Sequence, residues 1–494
     1  MKKFKKLFFR VVIFLAAVYL LLLVPDGADT DMVTAGKKPF VWNKDTFWLQ
    51  MEAKFVAARQ MTTEQQDSVI KKLLTSAMDK LNQVADSALG AGDARLADIE
   101  NNFFDYAVYA AARPLSMSGF LHYGNQLRDY IKKQSCHWNT ADTAVKNALY
   151  TLLYGMRAAT EEAMLQTGIF YDAAPAVEVQ EEMSAAPFTT IFGVKVHSGD
   201  LLVSRGGAEV SALISRGNDY PGNFSHVALI YVDEKTNQPY LIEAHIEKGV
   251  ALSSVEQYVS DKKLRFMVLR LRNDLPVMQK DPLLPHKAAK AMYAEAQRRH
   301  IPYDFKMDYY DTSAMFCSEV ASYAYKKQGV LLWQHISTIS SPGVVNWLHD
   351  FGVVHFVTQM PSDLEYDPQL AVVAEWRDDE TLFKDHIDNA AMDALLEKAD
   401  SGQTISFNRW MLPVVRVLKG YCWIKNRFGQ EGLIPEGMNA TRALKNQTFV
   451  AMHEAVSNYI SQKADAFFKE KSYRPPYWQL VKFAREGVKD FFKD

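Results

Sequence analysis

Residues 224–246, FSHVALIYVDEKTNQPYLIEAHI, hold the stretch on which the fold class turns. Val227 to Val232 is apolar at every position, so it reads as a strand covered on both faces. PYLIEAHI reads as a second strand, and the DEKTNQP between them supplies hairpin residues. A four-residue DEKT loop pairs Val232 with Asn237 and sets Glu243 directly across from His226, with Cβ atoms about 5 Å apart. A slip of one residue would put the two side chains on opposite faces. His245 shares a face with Glu243 and competes for the same partner.

Outward from this hairpin the β pattern continues in GVKVHSGDLLVSR (residues 193–205) and LRFMVLRLR (264–272), short runs bounded by Gly, Asn, Asp and Pro. After Asp281 the period becomes helical, first in HKAAKAMYAEAQRR (286–299) and then in MFCSEVASYAYKKQG (315–329). Asp311, Thr312 and Ser313 are competent N-caps for the second helix, whose apolar face carries Phe316, Val320, Tyr323 and Ala324. Cys317 then falls in or just after the first turn, where the helix dipole favours a thiolate. With His226 approaching from the sheet, Cys317 gains a base, and Glu243 holds the imidazole tautomer.

Each of these residues also has a structural reading. A cysteine beside Phe316 is a small buried apolar group, and a histidine at a strand end is a satisfied polar one. Glu243 is the odder residue, because a carboxylate inside an apolar strand needs a partner.

Order adds what single residues lack. GDLLVSR, FSHVALIYV, LIEAH, GVALSSVEQYV, IPYDF and MFCSEVASYAY, in this succession, resemble the permuted papain-like cysteine hydrolases of the NlpC superfamily, the YiiX/YebB-like group. The resemblance spans about residues 196–364. It implies an opening strand at Gly199 and Asp200, His226 as base, Glu243 as its orienter and Cys317 as nucleophile, with Phe316 where tyrosine is common. Tyr303 and Asp304 match the family's P-Y-D stretch, and Tyr303 takes an oxyanion or substrate role from that position alone. MPSDL near Asp363 matches the closing segment. The histidine precedes the cysteine, as circular permutation produces.

The flanks are helical. Residues 46–172 and 370–494 repeat apolar positions at three and four, and a Pro/Ala/Glu-rich linker is expected at 173–187. The papain-like unit is expected at 191–365. The fold class is therefore α+β: an antiparallel sheet with the nucleophile helix packed on it, flanked by helical N- and C-terminal regions. In YRPPYWQLVKFAREGVKDFF (473–492), Trp478, Val481, Ala484, Val488, Phe491 and Phe492 share a face. That helix either docks on the protein's own core or lies on a membrane.

The N-terminus reads as a targeting signal. MKKFKKLFFR carries Lys2, Lys3, Lys5, Lys6 and Arg10 ahead of the apolar run VVIFLAAVYLLLLV, residues 11–24. Counted from Leu7, with Arg10 snorkelling, the run approaches the roughly 17–25 residues of a spanning helix. The reading favours an uncleaved inner-membrane anchor over a cleaved signal peptide. Residues 1–10 stay cytoplasmic and the bulk is exported to the periplasm. Among the three cysteines, Cys136 and Cys422 either pair in that oxidising compartment or stay free.

Composition narrows the partners. With 48% hydrophobic and 23% charged residues the chain is globular. Its 56 basic and 58 acidic residues nearly cancel, which removes the electrostatic footprint of a nucleic-acid binder. No HExxH or paired CxxC occurs, and His349 and His355 lack ligand spacing, so neither metal nor cofactor is expected. Export and resemblance together imply hydrolysis of amide bonds in peptidoglycan peptides or other acylated or amidated envelope substrates. The alternatives are an acyl-ester or lipid hydrolase or acyltransferase resembling the lecithin–retinol acyltransferase group, or a non-catalytic envelope-binding protein.

Overall fold

The structure is a computed structural model, and it describes residues 2–27, 31–42, 44–167, 176–178, 182–260, 262–334, 337–427, 432–435 and 437–492. Helix α1 (Lys2–Leu22) is followed by five helices, α2 (Asp45–Ala58), α3 (Thr63–Val84), α4 (Ala94–Ala112), α5 (Met117–Ser135) and α6 (Thr143–Thr167). Side chains inside α1 are described at residue 7 and from residue 9 onward. The expected segment at 11–24 falls largely within α1, and among the described residues no helix is long and apolar enough to cross a membrane.

Strands β1 (Ala176–Glu178), β2 (Phe188–Ile191), β3 (Val194–His197) and β4 (Leu201–Gly206) come next, then helix α7 (Glu209–Arg216) and the strands β5 (His226–Val232), β6 (Pro239–His245) and β7 (Gly249–Ser253). After α8 (Val255–Ser260) comes β8 (Lys263–Leu271), followed by α9 (Pro276–Lys280), α10 (Leu284–Arg298) and α11 (Cys317–Lys326). The chain continues through β9 (Ser337–Thr338), α12 (Pro342–Phe351), β10 (Val357–Thr358), α13 (Asp363–Tyr366) and β11 (Leu370–Arg377). It ends in the helices α14 (Asp379–Asp400), α15 (Leu412–Arg427), α16 (Ala440–Lys471) and α17 (Tyr477–Phe491).

The central sheet has the order β1-β11-β8-β4-β5-β6-β7, and every pairing in it is antiparallel. This gives the expected α+β class, with one displaced boundary. Residues 370–377 were expected to open the C-terminal helical region, yet they form β11, an interior strand between β1 and β8. β1 falls inside the expected linker and pairs with β11 through 176–178. Linker residues 173–175 and 179–181 lie outside the described residues.

Alternation along β5 explains why its sequence is apolar throughout. Val227 and Leu229 face a core shared with Ala288, Ala289 and Met292 of α10 and Val320, Ala321 and Ala324 of α11. Ala228, Ile230 and Val232 face the other side, where Ile191, Val194 and Val196 of the β2–β3 hairpin cover them. The sheet is buried on both faces: α10 and α11 cover one, and by the same alternation His226 belongs with Ala228 on the other.

The helical flanks are packed onto this unit. The core of α2–α6, with Phe103, Phe104, Phe120 and Leu127, also takes in Trp333 and Tyr366 from the central unit. The core of α12, α14, α16 and α17 takes in Ala212 and Leu213 of α7. Leu480, Ala484 and Val488 of α17 are buried there, so the C-terminal helix docks on the protein's own core.

A buried ionic network joins flank to sheet. Arg157 of α6 bonds Glu375 of β11 at 2.7 Å and also pairs with Glu365 and Glu161. Arg265 of β8 pairs with Glu161 and Asp385, and Arg205 of β4 lies 3.1 Å from Asp385. His386 closes the network on Glu161 at 3.0 Å.

Candidate active site

His226 is the first residue of β5, and the loop before it is clamped. The Ser362 hydroxyl accepts from the Phe224 N–H at 2.9 Å and donates to the Phe224 carbonyl at 3.0 Å. Gly222 leaves no room for a Cβ against Ser362. Ser225 donates its N–H to the Ser204 carbonyl at 2.9 Å and accepts from Gly206 at 3.3 Å. Two elements far apart in sequence therefore aim one histidine.

Glu243 lies in the middle of β6 and is almost fully buried. Its Oε2 is 2.6 Å from His226 Nε2, and its Oε1 is 3.0 Å from His245 Nε2. The partner expected from sequence is present, but the expected hairpin register is wrong. Val232 pairs with Pro239 and Ala228 with Glu243, two residues away from the DEKT closure. The cause is the turn chemistry. Asp233 accepts from the N–H groups of Lys235 and Thr236 at 3.0 Å, and Asn237 takes a left-handed φ of +57°. An even shift keeps the face, so Glu243 moves to a diagonal position and reaches both imidazoles.

Cys317 opens α11, as expected, but its cap is different. Phe316 is the N-cap, with an extended backbone and no side-chain hydrogen bond. Asp311 instead accepts from the Ser313 N–H at 2.9 Å in a separate turn. The Cys317 thiol sits against β5, with Sγ 3.7 Å from the Ser225 carbonyl. Burial pushes the thiol up to about 12, and the charge of Glu243 adds to this, while the N–H groups of Ser318, Val227 and Cys317 itself pull the other way. The resting thiol is neutral.

The same balance runs oppositely at Glu243. Burial disfavours its charge, but hydrogen bonds from His226 and His245 outweigh burial and hold the carboxyl well below its usual range. At His245 burial is likewise outweighed by Glu243, and its pKa is raised. Glu243 therefore stays ionised and engages Nε2 of His226.

Tyr303 pairs in a short bridge with Met315, two residues before Cys317. Its hydroxyl is pushed well above its ordinary pKa by burial, and ionisation of Cys317 would push it further, so the phenol stays protonated. Gly199 and Asp200 are structural. Gly199 has φ +100° and meets the Pro285 backbone, and Asp200 takes two hydrogen bonds of 2.8 Å from Arg270.

Three contributors were not anticipated as such. Ser362 lies in the quoted MPSDL segment, but its hold on the His226 loop is a tertiary contact with no local signal. The Tyr258 ring lies 6.1 Å from that of His226, tilted by 32°, and its hydroxyl shares a 2.6 Å hydrogen bond with Ser204. Glu319, in the quoted CSEV, is 2% exposed, and the Phe316 backbone N–H is the donor that offsets its charge. Burial, aided by Asp304, raises its pKa to about 9. An acid one position before Val320 on a buried helix face was the available clue.

Cys136, Cys317 and Cys422 are all free thiols, so Cys136 and Cys422 do not pair. His355 lies 3.5 Å from Asp308, and among the described residues no group of three or more His, Cys, Asp or Glu side chains is arranged to hold a metal ion.

Residues 195–374 match the family model described as "Permuted papain-like amidase enzyme, YaeF/YiiX, C92 family". No curated protein matches the chain. A solved structure described as metalloprotein yiiX from Escherichia coli O157:H7 is similar at 19% identity, covering 37% of this chain and 98% of that chain with a TM-score of 0.29. Residues 195–374 thus resemble the permuted papain-like amidases, and helical regions flank them.

Proposed function

We propose that the chain is a cysteine hydrolase that cleaves amide bonds in cell-envelope material such as peptidoglycan peptides, with Cys317, His226 and Glu243 as its triad. The observation that carries this reading is the 2.6 Å contact of Glu243 with His226 Nε2, with the Cys317 thiol 3.7 Å from the carbonyl of Ser225, the residue before His226. Attack begins from the neutral thiol: its proton passes to His226 as Sγ bonds to the carbonyl carbon. Glu243 stabilises the imidazolium that results. The N–H groups of Cys317 and Ser318, first-turn donors of α11, offer hydrogen bonds to the oxyanion, and the Tyr303 hydroxyl is a further donor. The C–N bond then breaks as His226 returns the proton to the leaving amine, and water hydrolyses the acyl-thioester.

The N-terminal signal supports a further part of the proposal, that the bulk of the chain acts outside the cytoplasm, held to the membrane through its N-terminal segment. A second reading, hydrolysis or transfer of lipid acyl groups by the same triad, is favoured by the exposed apolar side chains of α1, including Phe9, Phe14 and Leu21. Product analysis with muropeptides and with phospholipids as substrates decides between the two. Cys317→Ala is expected to abolish turnover on the true substrate while melting normally, because a small residue replaces a buried thiol. Undiminished turnover by that variant ends the nucleophile assignment. Protease added to spheroplasts should digest the bulk of the chain, and full protection would refute export.

A further inference from the structure

The turn Arg409–Met411 and the helix α15 carry an apolar stripe that faces outward. Trp410, Val414, Val417, Tyr421 and Ile424 recur at steps of four, three, four and three, which places them on one face. All five are exposed, Val417 to 72%. The opposite face is already occupied: Leu412 is buried with Ala440 and Leu444 of α16, and Cys422 is buried as well. An amphipathic surface helix buries its apolar stripe and shows water its polar side. α15 has an apolar stripe to spare.

Its charges are of one sign. Residues 409–427 hold Arg409, Arg416, Lys419, Lys425 and Arg427 and no acidic residue. Trp410, Tyr421 and Trp423 are exposed aromatics, and the Arg427 guanidinium lies 5.6 Å over the Trp423 ring. Aromatic and basic side chains beside an apolar face are what the headgroup boundary of a membrane selects.

α15 is also bound to the N-terminal apolar helix. Tyr19 donates to the Trp410 carbonyl at 3.2 Å, and Arg416 donates to the carbonyls of Leu22 at 2.9 Å and Val24 at 2.7 Å. Arg416 also pairs with Asp26, which caps Thr441 at the start of α16. The exposed side chains of α1 and the stripe of α15 are therefore held side by side. Beyond α15, Gly437 packs on the Phe305 ring, which itself lies 5.0 Å from Tyr303.

We propose that the Arg409–Met411 turn and α15 form an interfacial helix that lies in the headgroup boundary of an anionic bilayer beside α1. This goes beyond the hydrolase reading and is independent of it. A second copy of the chain is the rival occupant, but Arg409, Lys425 and Arg427 near the stripe would repel their counterparts across a self-complementary face.

The test uses the full chain in vesicles of phosphatidylethanolamine and phosphatidylglycerol doped with a lipid whose acyl chain carries a photoactivatable group, with labelled peptides mapped by mass spectrometry. Labels on residues 410–424 as well as 9–24 are expected. The full-length double variant Val417→Glu, Ile424→Glu should lose at least tenfold of the 410–424 label, keep the 9–24 label and melt unchanged, since both side chains are exposed. Label confined to 9–24 in the unaltered chain overturns the proposal, as do protein–protein cross-links through 410–424 without lipid label. Hydrolysis of a soluble substrate by the double variant should be unchanged, so loss of triad activity and loss of lipid contact are read separately.

Discussion

Glu243 faces two imidazoles with one carboxylate, and the two contacts predict different consequences. Glu243→Gln keeps an acceptor but removes the charge that stabilises the imidazolium, so turnover should fall by about 10- to 100-fold, less than for Cys317→Ala. His245→Ala leaves the His226 contact intact and should cost only a few-fold. If His245→Ala cripples turnover while Glu243→Gln is silent, the orienting role belongs to His245. Glu319 makes a pH prediction. Its folded pKa near 9 lies above the ordinary carboxylate value. The stability of the neutral form is fully present below about pH 4.5 and is lost as pH rises toward 9. Glu319→Gln should therefore raise the melting temperature at pH 8, by about 2 kcal/mol in stability, and have little effect at pH 5. A variant that melts lower at pH 8 would show that Glu319 is ionised and paired. At this scale the site was legible where a residue was out of place, as with a carboxylate in an apolar strand or a thiol at a helix start. Ser362 and Tyr258 were not, because each acts through a contact that no local pattern encodes.

Elements were easier to name than to align. The β5–β6 hairpin was legible from its apolar runs, but its register was not, because the turn is set by Asp233 hydrogen bonds and a left-handed Asn237 rather than by the shortest closure. The error spared the site only because two residues preserve the face. β11 was missed although LAVVAEWR reads as strand, since the recognisable motifs end at Leu364 and helices follow on both sides of it. The clamp on the His226 loop gives a prediction here. Ser362→Ala removes both hydrogen bonds to Phe224, which should cost about 1–3 kcal/mol and lower kcat several-fold more than it changes KM. A variant with normal kcat would show that Gly222 packing alone aims the loop.

At the scale of the whole molecule the helical flanks are not appendages, because Arg157, Glu161, Arg265, Glu375 and Asp385 are buried where they meet the sheet. Removing one charge from such a network strands its partners. Glu161→Gln should destabilise the chain by about 3–5 kcal/mol, and adding Arg265→Met should recover part of that loss. Denaturant melts of the two variants check this, and additive losses would mean that the pair is not coupled. None of this was legible beforehand, since partners so far apart in sequence leave no periodic trace. The same separation has a consequence for synthesis. Arg157 bonds residues 208 and 218 positions later in the chain. At about 5–20 residues per second, a ribosome delivers Glu375 roughly 10–40 s after Arg157 has emerged. Through that interval α6 has its own Arg157–Glu161 pair but lacks Glu365 and Glu375, so the N-terminal helices cannot reach their final state first. The chain must be kept from aggregating until its last third arrives, and its folding rate is set by closure of these long loops rather than by its many helices.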